Sequence, residues 1–124
     1  MNLNQVTVPL LDLTKAVPFY VKLGLKLIVE SLPDYARFEC PDGHSPFSIH
    51  RADSLLKVEG IGIYFECINL DENVSELVKK GIVFEQTPTN QKWLWREARL
   101  KDVYGNQLVL FYGGENRFNP PWKI

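Results

Sequence analysis

The chain has 124 residues, of which 45% are hydrophobic and 23% charged, and its formal net charge is −1. This length and balance suit a soluble globular domain with a core of its own, and the near-neutral charge excludes the basic field that attracts nucleic acid or anionic membranes. No apolar run approaches the roughly 20 residues of a membrane-spanning helix, and MNLNQVTV lacks the basic and apolar stretches of a secretory signal.

The first half of the chain predicts a strand, a helix and three further strands. Leu3–Leu11 alternates and is rich in β-forming residues, so it predicts a strand. A helix follows, which Asp12 or Thr14 can cap and Gly24 ends. Pro18 is expected near the first turn of this helix, or at a local bend. LKLIVES, YARFECP and PFSIHRA then predict three short strands separated by turn residues.

The second half repeats this order after a loop or short helical linker at Ala52–Glu59. GIGIYFECI predicts a strand, and NLDENVSELVKKG predicts a helix that Asn69 or Asp71 caps and Gly81 closes. IVFEQTP predicts a short strand, and LWREARLKDV and NQLVLFY predict the two arms of a hairpin around YGN. The tail, GGENRFNPPWKI, is irregular and rich in proline and glycine.

The two halves form an internal repeat, in which LLDLTKAVPFYVKLGLKL aligns with CINLDENVSELVKKGIVF. Leu13 falls on Leu70, and Gly24 falls on Gly81. Each half therefore follows the order βαβββ, and packing two such units together covers the sheet face that one alone would leave bare. The predicted fold is one α+β domain, residues 1–124, with modules 1–52 and 60–112 forming a cupped mixed sheet and a tail at 113–124.

Strand alternation divides each predicted sheet into an apolar face and a mixed face. In the predicted seventh strand Ala98 and Leu100 fit under a helix, so Trp95 points the opposite way. Aromatic walls with a few charges are typical of a ligand pocket. A solvated sheet face with ordinary ion pairs would carry the same charges, but exposed tryptophan pairs are uncommon without a partner surface. If the mixed faces curve into a cup, its lining comprises Trp93, Trp95, Tyr35, Tyr64, Phe111, Arg37, Arg99, Glu39, Glu66, Glu97 and His50.

Cys40 and Cys67 lie far apart in apolar, strand-like contexts and outside any CxxC spacing. We interpret them as two buried thiols in a reducing cytoplasm, and the spacing gives a disulfide no support. The two histidines, His44 and His50, are too few for a histidine-rich metal site.

Two motifs carry a resemblance to a known family. The first is D-x-x-x-A-x-x-F-Y-x-x-L-G-L, from Asp12 to Leu25, and the second is D-x-x-G-N-x-L, from Asp102 to Leu108. Both resemble the vicinal oxygen chelate superfamily of glyoxalase I, extradiol dioxygenases and fosfomycin- and bleomycin-resistance proteins. Val103 and Tyr104 stand where that family usually has Pro-Asp. The resemblance extends to about Tyr112 and implies the glyoxalase/bleomycin-resistance/dioxygenase fold.

Enzymes of that superfamily hold a divalent metal through one residue from each of the first, fourth, fifth and eighth strands, usually His or Gln, Glu, His and Glu. The resemblance places these positions at Gln5, Ser48, Gly62 and Val109. Glutamine is an accepted ligand, but glycine has no ligating side chain and valine's is inert, whereas a chelate site needs about three or four N or O donors. The resemblance thus implies no cofactor and no usual metal site, with residual candidates for a displaced site at Gln5, His50 and Glu66.

The metal-free branch of the superfamily, the bleomycin-resistance type, sequesters antibiotics without altering them. TPTNQKWLWREARLKDVYGN is similar to its hairpin, W-x-x-R-E-x-x-x-x-D-x-x-G-N, which begins here at Trp93. The resemblance implies a homodimer in which two chains swap halves and ligands bind in two clefts at the interface. Strand parity puts Arg96 on the helix side, where it would serve the dimer interface or pair with neighbours of Glu97. The tail, with Phe118 and Trp122, is either a disordered terminus or, as we favour, a strap on the same or the partner subunit.

Three functions remain open. We favour a cytoplasmic, metal-free protein that binds a small aromatic or charged molecule, such as an antibiotic, and no nucleic acid or membrane. The alternatives are a metal-dependent glyoxalase, lyase or dioxygenase with an atypical site, and a small domain whose ligand is incidental. No Ser-His-Asp or Cys-His spacing indicates a nucleophile, so no catalytic residue is assigned. The ligand-binding candidates are Trp93, Trp95, Tyr64, Tyr35, Phe111, Glu66, Glu97, Arg37, Arg99 and His50.

Overall fold

The computed structural model describes residues 3, 5–43, 45–54 and 62–124. The chain divides into two compact units, Met1–Gly60 with Asp102–Tyr104, and Ile61–Lys101 with Gly105–Ile124. Each unit contains one helix and one four-stranded mixed sheet in the order βαβββ, so the predicted α+β class and the repeat are confirmed. Most of the linker predicted at Ala52–Glu59, and the turn residue His44, lie outside the described residues.

The first unit follows the predicted order of elements closely. Its sheet has the strand order β1-β4-β3-β2, in which β1 runs parallel to β4 and the other neighbours are antiparallel. The elements are β1 (Val6–Leu10), α1 (Leu13–Leu23), β2 (Lys26–Ser31), β3 (Tyr35–Glu39) and β4 (Phe47–Arg51).

Helix α1 begins where the sequence predicts. Asp12 Oδ1 accepts a hydrogen bond from the backbone N–H of Thr14 at 2.9 Å, and hydrogen bonding to Thr14 lowers the pKa of the Asp12 carboxyl. Pro18 lies in the second turn rather than near the first. Because proline has no N–H, the helix makes one backbone hydrogen bond fewer at that turn, yet it continues to Leu23.

Tyr20 lies at the centre of the first unit's core. It is fully buried, and its ring centroid is 4.8 Å from that of Phe47 and 5.6 Å from that of Phe38. Its hydroxyl donates to Asp102 Oδ2 at 2.6 Å, and Asp102 Oδ1 accepts from the backbone N–H of Tyr104. Burial, reinforced by the Asp102 charge, raises the pKa of Tyr20 well above its ordinary value.

The second unit has the strand order β5-β8-β7-β6, in which β5 runs parallel to β8 and the other neighbours are antiparallel. Helix α2 packs on β6, β7 and β8. A short 3-10 helix, Gly114–Arg117, follows the last strand. The elements are β5 (Gly62–Glu66), α2 (Leu70–Lys79), β6 (Gln86–Asn90), β7 (Arg96–Lys101) and β8 (Gln107–Tyr112).

The predicted starts of β6 and β7 are wrong. Of the predicted sixth strand, IVFEQTP, only Gln86–Pro88 lies in β6, and the predicted seventh, LWREARLKDV, begins with two residues that precede β7. Trp93, which strand alternation placed on the mixed face, lies in a turn. The chain reverses later than predicted, at Gln91–Trp95: Leu94 N–H donates to Gln91 O at 3.0 Å, and Gln91 N–H donates to Trp95 O at 2.7 Å. Leu94 reaches a φ of 66° to complete this turn, a conformation that leucine rarely adopts and that the sequence therefore did not reveal.

The remaining predictions concern Arg96, the cysteines and α2. Arg96 lies on the helix side as predicted, because its guanidinium holds Asp71 of α2 through Nε and Nη2. Asn69 is the N-cap of α2, although its side chain makes no cap hydrogen bond. Cys40 and Cys67 are half-buried rather than buried and form no disulfide. No helix among the described residues is long and apolar enough to cross a membrane.

Candidate functional site

An aromatic cluster of Trp95, Tyr64 and Phe111 lies on one face of the second sheet. The Trp95 and Phe111 rings stack, with centroids 4.6 Å apart and an interplanar angle of 22°. Tyr64 meets both rings edge-on, at 5.7 Å from Phe111 and 6.2 Å from Trp95. Phe111 is buried and supports the other two, whereas Tyr64 is 47% exposed and Trp95 is half-buried. The surface that this aromatic cluster offers is thus made by Trp95 and Tyr64.

A buried carboxylate adjoins the aromatic cluster, since Glu97 faces Phe111 across β7 and β8. Glu97 is fully buried. Its Oε1 accepts from Trp93 Nε1 at 2.7 Å, and its Oε2 accepts from Arg99 Nη2 at 2.9 Å. A buried carboxylate is tolerated only when it is paired and hydrogen-bonded in this way. Glu97 can reach a ligand only if the Trp93 indole moves away.

Arg99 has unused hydrogen-bonding capacity beside this carboxylate. Its Nε is buried and has no hydrogen-bond partner among the described residues. A buried donor without an acceptor is destabilising, so a small shift of the side chain, or a ligand acceptor, would be favourable at this atom.

The beginning of the tail packs against the same sheet face. Trp95 Nε1 donates to Asn116 O at 3.3 Å, and Arg117 Nη1 donates to Glu66 Oε2 at 2.6 Å. Up to Arg117, therefore, the expected strap lies on its own unit. Beyond it, Phe118 is 67% and Trp122 is 56% exposed. A groove of about 600 Å³ between the hairpin turn and this part of the tail is lined by Asn90, Gln91, Leu94, Trp95, Arg96, Tyr112, Gly113, Gly114, Glu115 and Asn116.

The mixed face of the first sheet carries a polar cluster. Gln5 Nε2 donates to Ser48 Oγ at 2.9 Å, and the Ser48 and Thr7 hydroxyls lie 2.6 Å apart. Arg37 Nε donates to the Tyr35 hydroxyl at 2.9 Å. Burial acts to raise the pKa of Tyr35, but hydrogen bonds with Ser48 and Arg37 and the Arg37 charge outweigh it and lower the pKa.

The structure brings the predicted site residues together in separate groups. In the second unit, Trp93, Glu97 and Arg99 form one hydrogen-bonded chain, and the aromatic cluster adjoins it. In the first unit, His50 is exposed and faces Tyr35 across β3 and β4. Glu39 pairs with Lys26 at 3.6 Å.

Sequence reasoning missed two residues of these groups. Thr7, in β1, lies on the same side of the chain as Gln5, which precedes the strand, and strand alternation could have revealed it. Arg117 lies in the irregular tail, where no periodicity indicates a partner, so its ion pair with Glu66 left no signal in the sequence.

The residues present do not fit the divalent metal that the fold implies. In the second unit the two ligand positions fall on Gly62 and Val109. Val109 is buried, and a Cβ added at Gly62 would lie 3.1 Å from the Tyr64 ring. Neither position offers an N or O donor, and Glu66 is held by Arg117. The described residues contain no group of three or more His, Cys, Asp or Glu that could hold a metal ion, whereas chelate sites need about three or four converging donors.

Comparison with known proteins identifies relatives of this fold. The family model of the Glyoxalase/Bleomycin resistance protein/Dioxygenase superfamily matches residues 2–110. No curated protein matches the chain. A glyoxalase/bleomycin resistance protein/dioxygenase from Nocardioides is 20% identical with a TM-score of 0.77, over 100% of this chain and 89% of that one.

Two further solved structures are similar in fold. A bleomycin resistance determinant encoded on the transposon Tn5 is 18% identical with a TM-score of 0.76, over 90% of this chain and 98% of that one. A lactoylglutathione lyase from Agrobacterium tumefaciens is 18% identical with a TM-score of 0.73, over 90% and 93% of the two chains. Similarity at these identities shows the fold alone, and the fold serves both a resistance determinant and a lyase.

Proposed function

The chain belongs to the glyoxalase/bleomycin resistance protein/dioxygenase superfamily, and from that premise we propose that it is a metal-free protein that binds a small aromatic molecule. The observation that carries the proposal is the aromatic cluster, in which Trp95 and Tyr64 offer ring surface above a buried Phe111. A flat ligand would stack on Trp95 and meet the ring of Tyr64. Each aromatic contact would contribute about 0.5–1.5 kcal/mol beyond the burial of apolar area.

The charges around the aromatic cluster favour a ligand without a large net charge at this position. Glu97 is paired with Arg99, and Glu66 is paired with Arg117. Each carboxylate is thus matched by one guanidinium. We therefore expect stacking and apolar burial to supply most of the affinity here. Arg99 Nε could donate to an acceptor atom of the ligand after a shift of its side chain, because the atom is buried.

The binding test uses titration calorimetry with quinoline as the first member of a panel of flat aromatic compounds. We expect saturable binding and an affinity that falls about tenfold in Trp95→Ala, since tenfold corresponds to about 1.4 kcal/mol. Tyr104→Ala is the control, because Tyr104 belongs to the first unit and lines neither the aromatic cluster nor the groove beside it. An equal loss of affinity in the two variants would show that the ligand does not bind at the aromatic cluster.

The absence of a metal is part of this proposal and has its own test. The donor set supports it, because two of the four family positions, Gly62 and Val109, carry no ligating atom. Protein treated with a chelator and then titrated with Zn²⁺, Ni²⁺, Mn²⁺ or Fe²⁺ should show no tight stoichiometric site. A tight site that disappears in Gln5→Ala or His50→Ala would instead favour the metal-dependent enzyme.

We also propose that the protein is a cytoplasmic homodimer with its ligand in a cleft at the interface, and that sequestration of an antibiotic is one role of such a binder. The family resemblance supports the dimer, and the exposed Phe118, Trp122 and Ile124 offer apolar surface that a second copy could cover. The absence of a disulfide between Cys40 and Cys67 is compatible with a reducing compartment. Light scattering of the purified protein measures its molar mass and so tests the dimer. The molar mass of a monomer at micromolar concentration would contradict the proposal.

A further inference from the structure

Arg37 differs from the other arginines of this chain. All five arginines lie in the described residues, and four of them form salt bridges with carboxylates: Arg51 with Asp34, Arg96 with Asp71, Arg99 with Glu97 and Arg117 with Glu66. No carboxylate of the described part of the chain pairs with Arg37. Its positive charge is half-buried on the mixed face of the first sheet.

The guanidinium of Arg37 is held in place but has donors to spare. Its Nε donates to the Tyr35 hydroxyl at 2.9 Å, and its Cζ lies 5.6 Å from the centroid of the Tyr35 ring, within range of a cation–π contact. A guanidinium presents several N–H donors in a rigid planar fork. Tyr35 thus orients the guanidinium. The N–H groups of Nη1 and Nη2, at the far end of this planar fork, have no hydrogen-bond partner among the described residues.

Residues with hydroxyl groups lie in the same row of the sheet as Arg37. Ser48 lies opposite Arg37 in the register of β3 and β4, and Thr7 lies opposite Ser48 in the register of β1 and β4. Arg37, Ser48 and Thr7 therefore form a row across the sheet. Ser48, in the middle of this row, is fully buried. The Tyr35 oxygen accepts from Arg37, so its own proton points elsewhere. These groups are donors or can act as donors, and the row contains no carboxylate.

We propose that Arg37, oriented by Tyr35, forms an oxyanion-binding subsite that takes the carboxylate of a small molecule. The planar fork matches the two oxygens of a carboxylate, and a single guanidinium charge balances a monoanion better than a phosphate dianion. This subsite lies in the first unit and goes beyond the aromatic cluster of the second, so each can fail without the other.

Nuclear magnetic resonance of the Arg side chains tests the subsite, because the chain gives only five Nε–Hε signals. Benzoate is the probe, benzamide its neutral counterpart and inorganic phosphate the competing oxyanion. We expect a saturable shift of the Arg37 signal with benzoate, a weaker response to phosphate and none to benzamide. No saturable shift with benzoate, or tighter binding of phosphate than of benzoate, would overturn the carboxylate subsite.

Two variants with the same charge change separate this subsite from general electrostatics. Arg37→Gln should weaken benzoate at least about tenfold, through the loss of a charge-assisted hydrogen bond, as measured by the signals of the backbone around β3. Arg51→Gln removes an equal charge from an arginine that is already paired with Asp34, and benzoate affinity should not change. Equal weakening in both variants would overturn the proposal.

Two further variants have different purposes. One tests whether the planar guanidinium, and not its charge alone, recognises the carboxylate, and the other tests whether the subsite is independent of the aromatic cluster. Arg37→Lys keeps the charge and loses the planar fork, so it should resemble Arg37→Gln more than the unchanged protein; full affinity in this variant would contradict recognition by the fork. Trp95→Ala should leave the benzoate shift at Arg37 intact. Loss of quinoline binding in Trp95→Ala bears on the proposed function alone, and loss of benzoate binding in Arg37→Gln bears on this subsite alone.

Discussion

At the scale of single residues, the hydrogen bond between Tyr20 and Asp102 joins the two sequence motifs of the family. Tyr20 belongs to the first motif and Asp102 to the second, and both are buried. A buried carboxylate that loses a donor keeps the penalty of its burial without the compensating bond. The motif residues are thus explained by the core of the first unit rather than by the candidate site.

Replacement of Tyr20 by phenylalanine tests this role. The ring contacts with Phe38 and Phe47 are kept, and only the hydroxyl is lost. We expect the free energy of unfolding to fall by about 1–3 kcal/mol, measured by urea denaturation. Tyr112→Phe removes an exposed hydroxyl and should change stability by less than about 0.5 kcal/mol; a comparable loss there would show that the buried position of Tyr20 is not the cause.

The raised pKa of Tyr20 also predicts a loss of stability at alkaline pH. Its folded pKa lies above the unfolded value of 10.0, so the contribution of this group is complete below that pH. Above it, the unfolded chain releases the phenol proton and the folded chain retains it, so stability falls by about 1.4 kcal/mol per pH unit. Denaturation of the protein and of Tyr20→Phe across this range should show a steeper fall in the protein with tyrosine; parallel curves would contradict the assignment.

At the scale of elements, the two helices end in the same motif. Gly24 N–H donates to Val21 O, and Leu25 N–H donates to Tyr20 O, while Gly81 and Ile82 make the equivalent bonds to Val78 and Leu77, all at 3.0 Å. Both glycines have positive φ, 110° and 90°, as this type of helix end requires. The internal repeat therefore extends from the sequence to individual hydrogen bonds.

Alanine at either glycine should have a similar cost. An added Cβ meets nothing within 4 Å at Gly24 or Gly81, so the effect comes from the backbone conformation alone. We expect Gly24→Ala and Gly81→Ala each to lower the free energy of unfolding by about 1–2 kcal/mol, measured by thermal or urea denaturation. No loss in either variant would contradict the left-handed conformation at that helix end.

At the hairpin turn between β6 and β7 we expect the opposite effect, a gain in stability, because a residue other than glycine has a positive φ there. Leu94 has a φ of 66° and is 49% exposed, so its side chain contributes little packing while its backbone is strained. Leu94→Gly should raise the free energy of unfolding by about 0.5–1 kcal/mol. Leu94→Ala is the control, because it removes most of the side chain but keeps the Cβ that makes a positive φ unfavourable. An equal gain in stability in Leu94→Ala would show that relief of backbone strain is not the cause of the gain in Leu94→Gly.

The elements that the sequence predicted correctly are those with local signals. Asp12 and Gly24 mark the ends of α1 by capping chemistry, and strand alternation placed Arg96 on the helix side. The reversal at Gln91–Leu94 has no glycine or proline, so pairing between β6 and β7 determines it and local preference does not. Alternation grouped Trp95 with Glu97 correctly, but it could not show that the Trp93 indole, from the turn, covers that carboxylate.

At the scale of the whole molecule, the fold alone does not decide between a binder and an enzyme. The two candidate surfaces differ in character within their own units. The mixed face of the second sheet has aromatic rings and internally paired charges. That of the first has a row of hydroxyl groups and Arg37, with which no carboxylate of the described residues pairs. The chemistry of these side chains, with no ligating side chain at Gly62 or Val109, is what supports the proposed metal-free binder.

Nuclear magnetic resonance of the indole N–H groups tests the central claim most directly, because the three tryptophans give three signals. The protein is treated with a chelator and titrated with quinoline and the other flat aromatic compounds while the chelator is present. The account predicts a saturable shift of the Trp95 signal, with the Trp122 signal unchanged. A Trp95 signal that no compound of the panel shifts, or that shifts only after a divalent metal is restored, would contradict it.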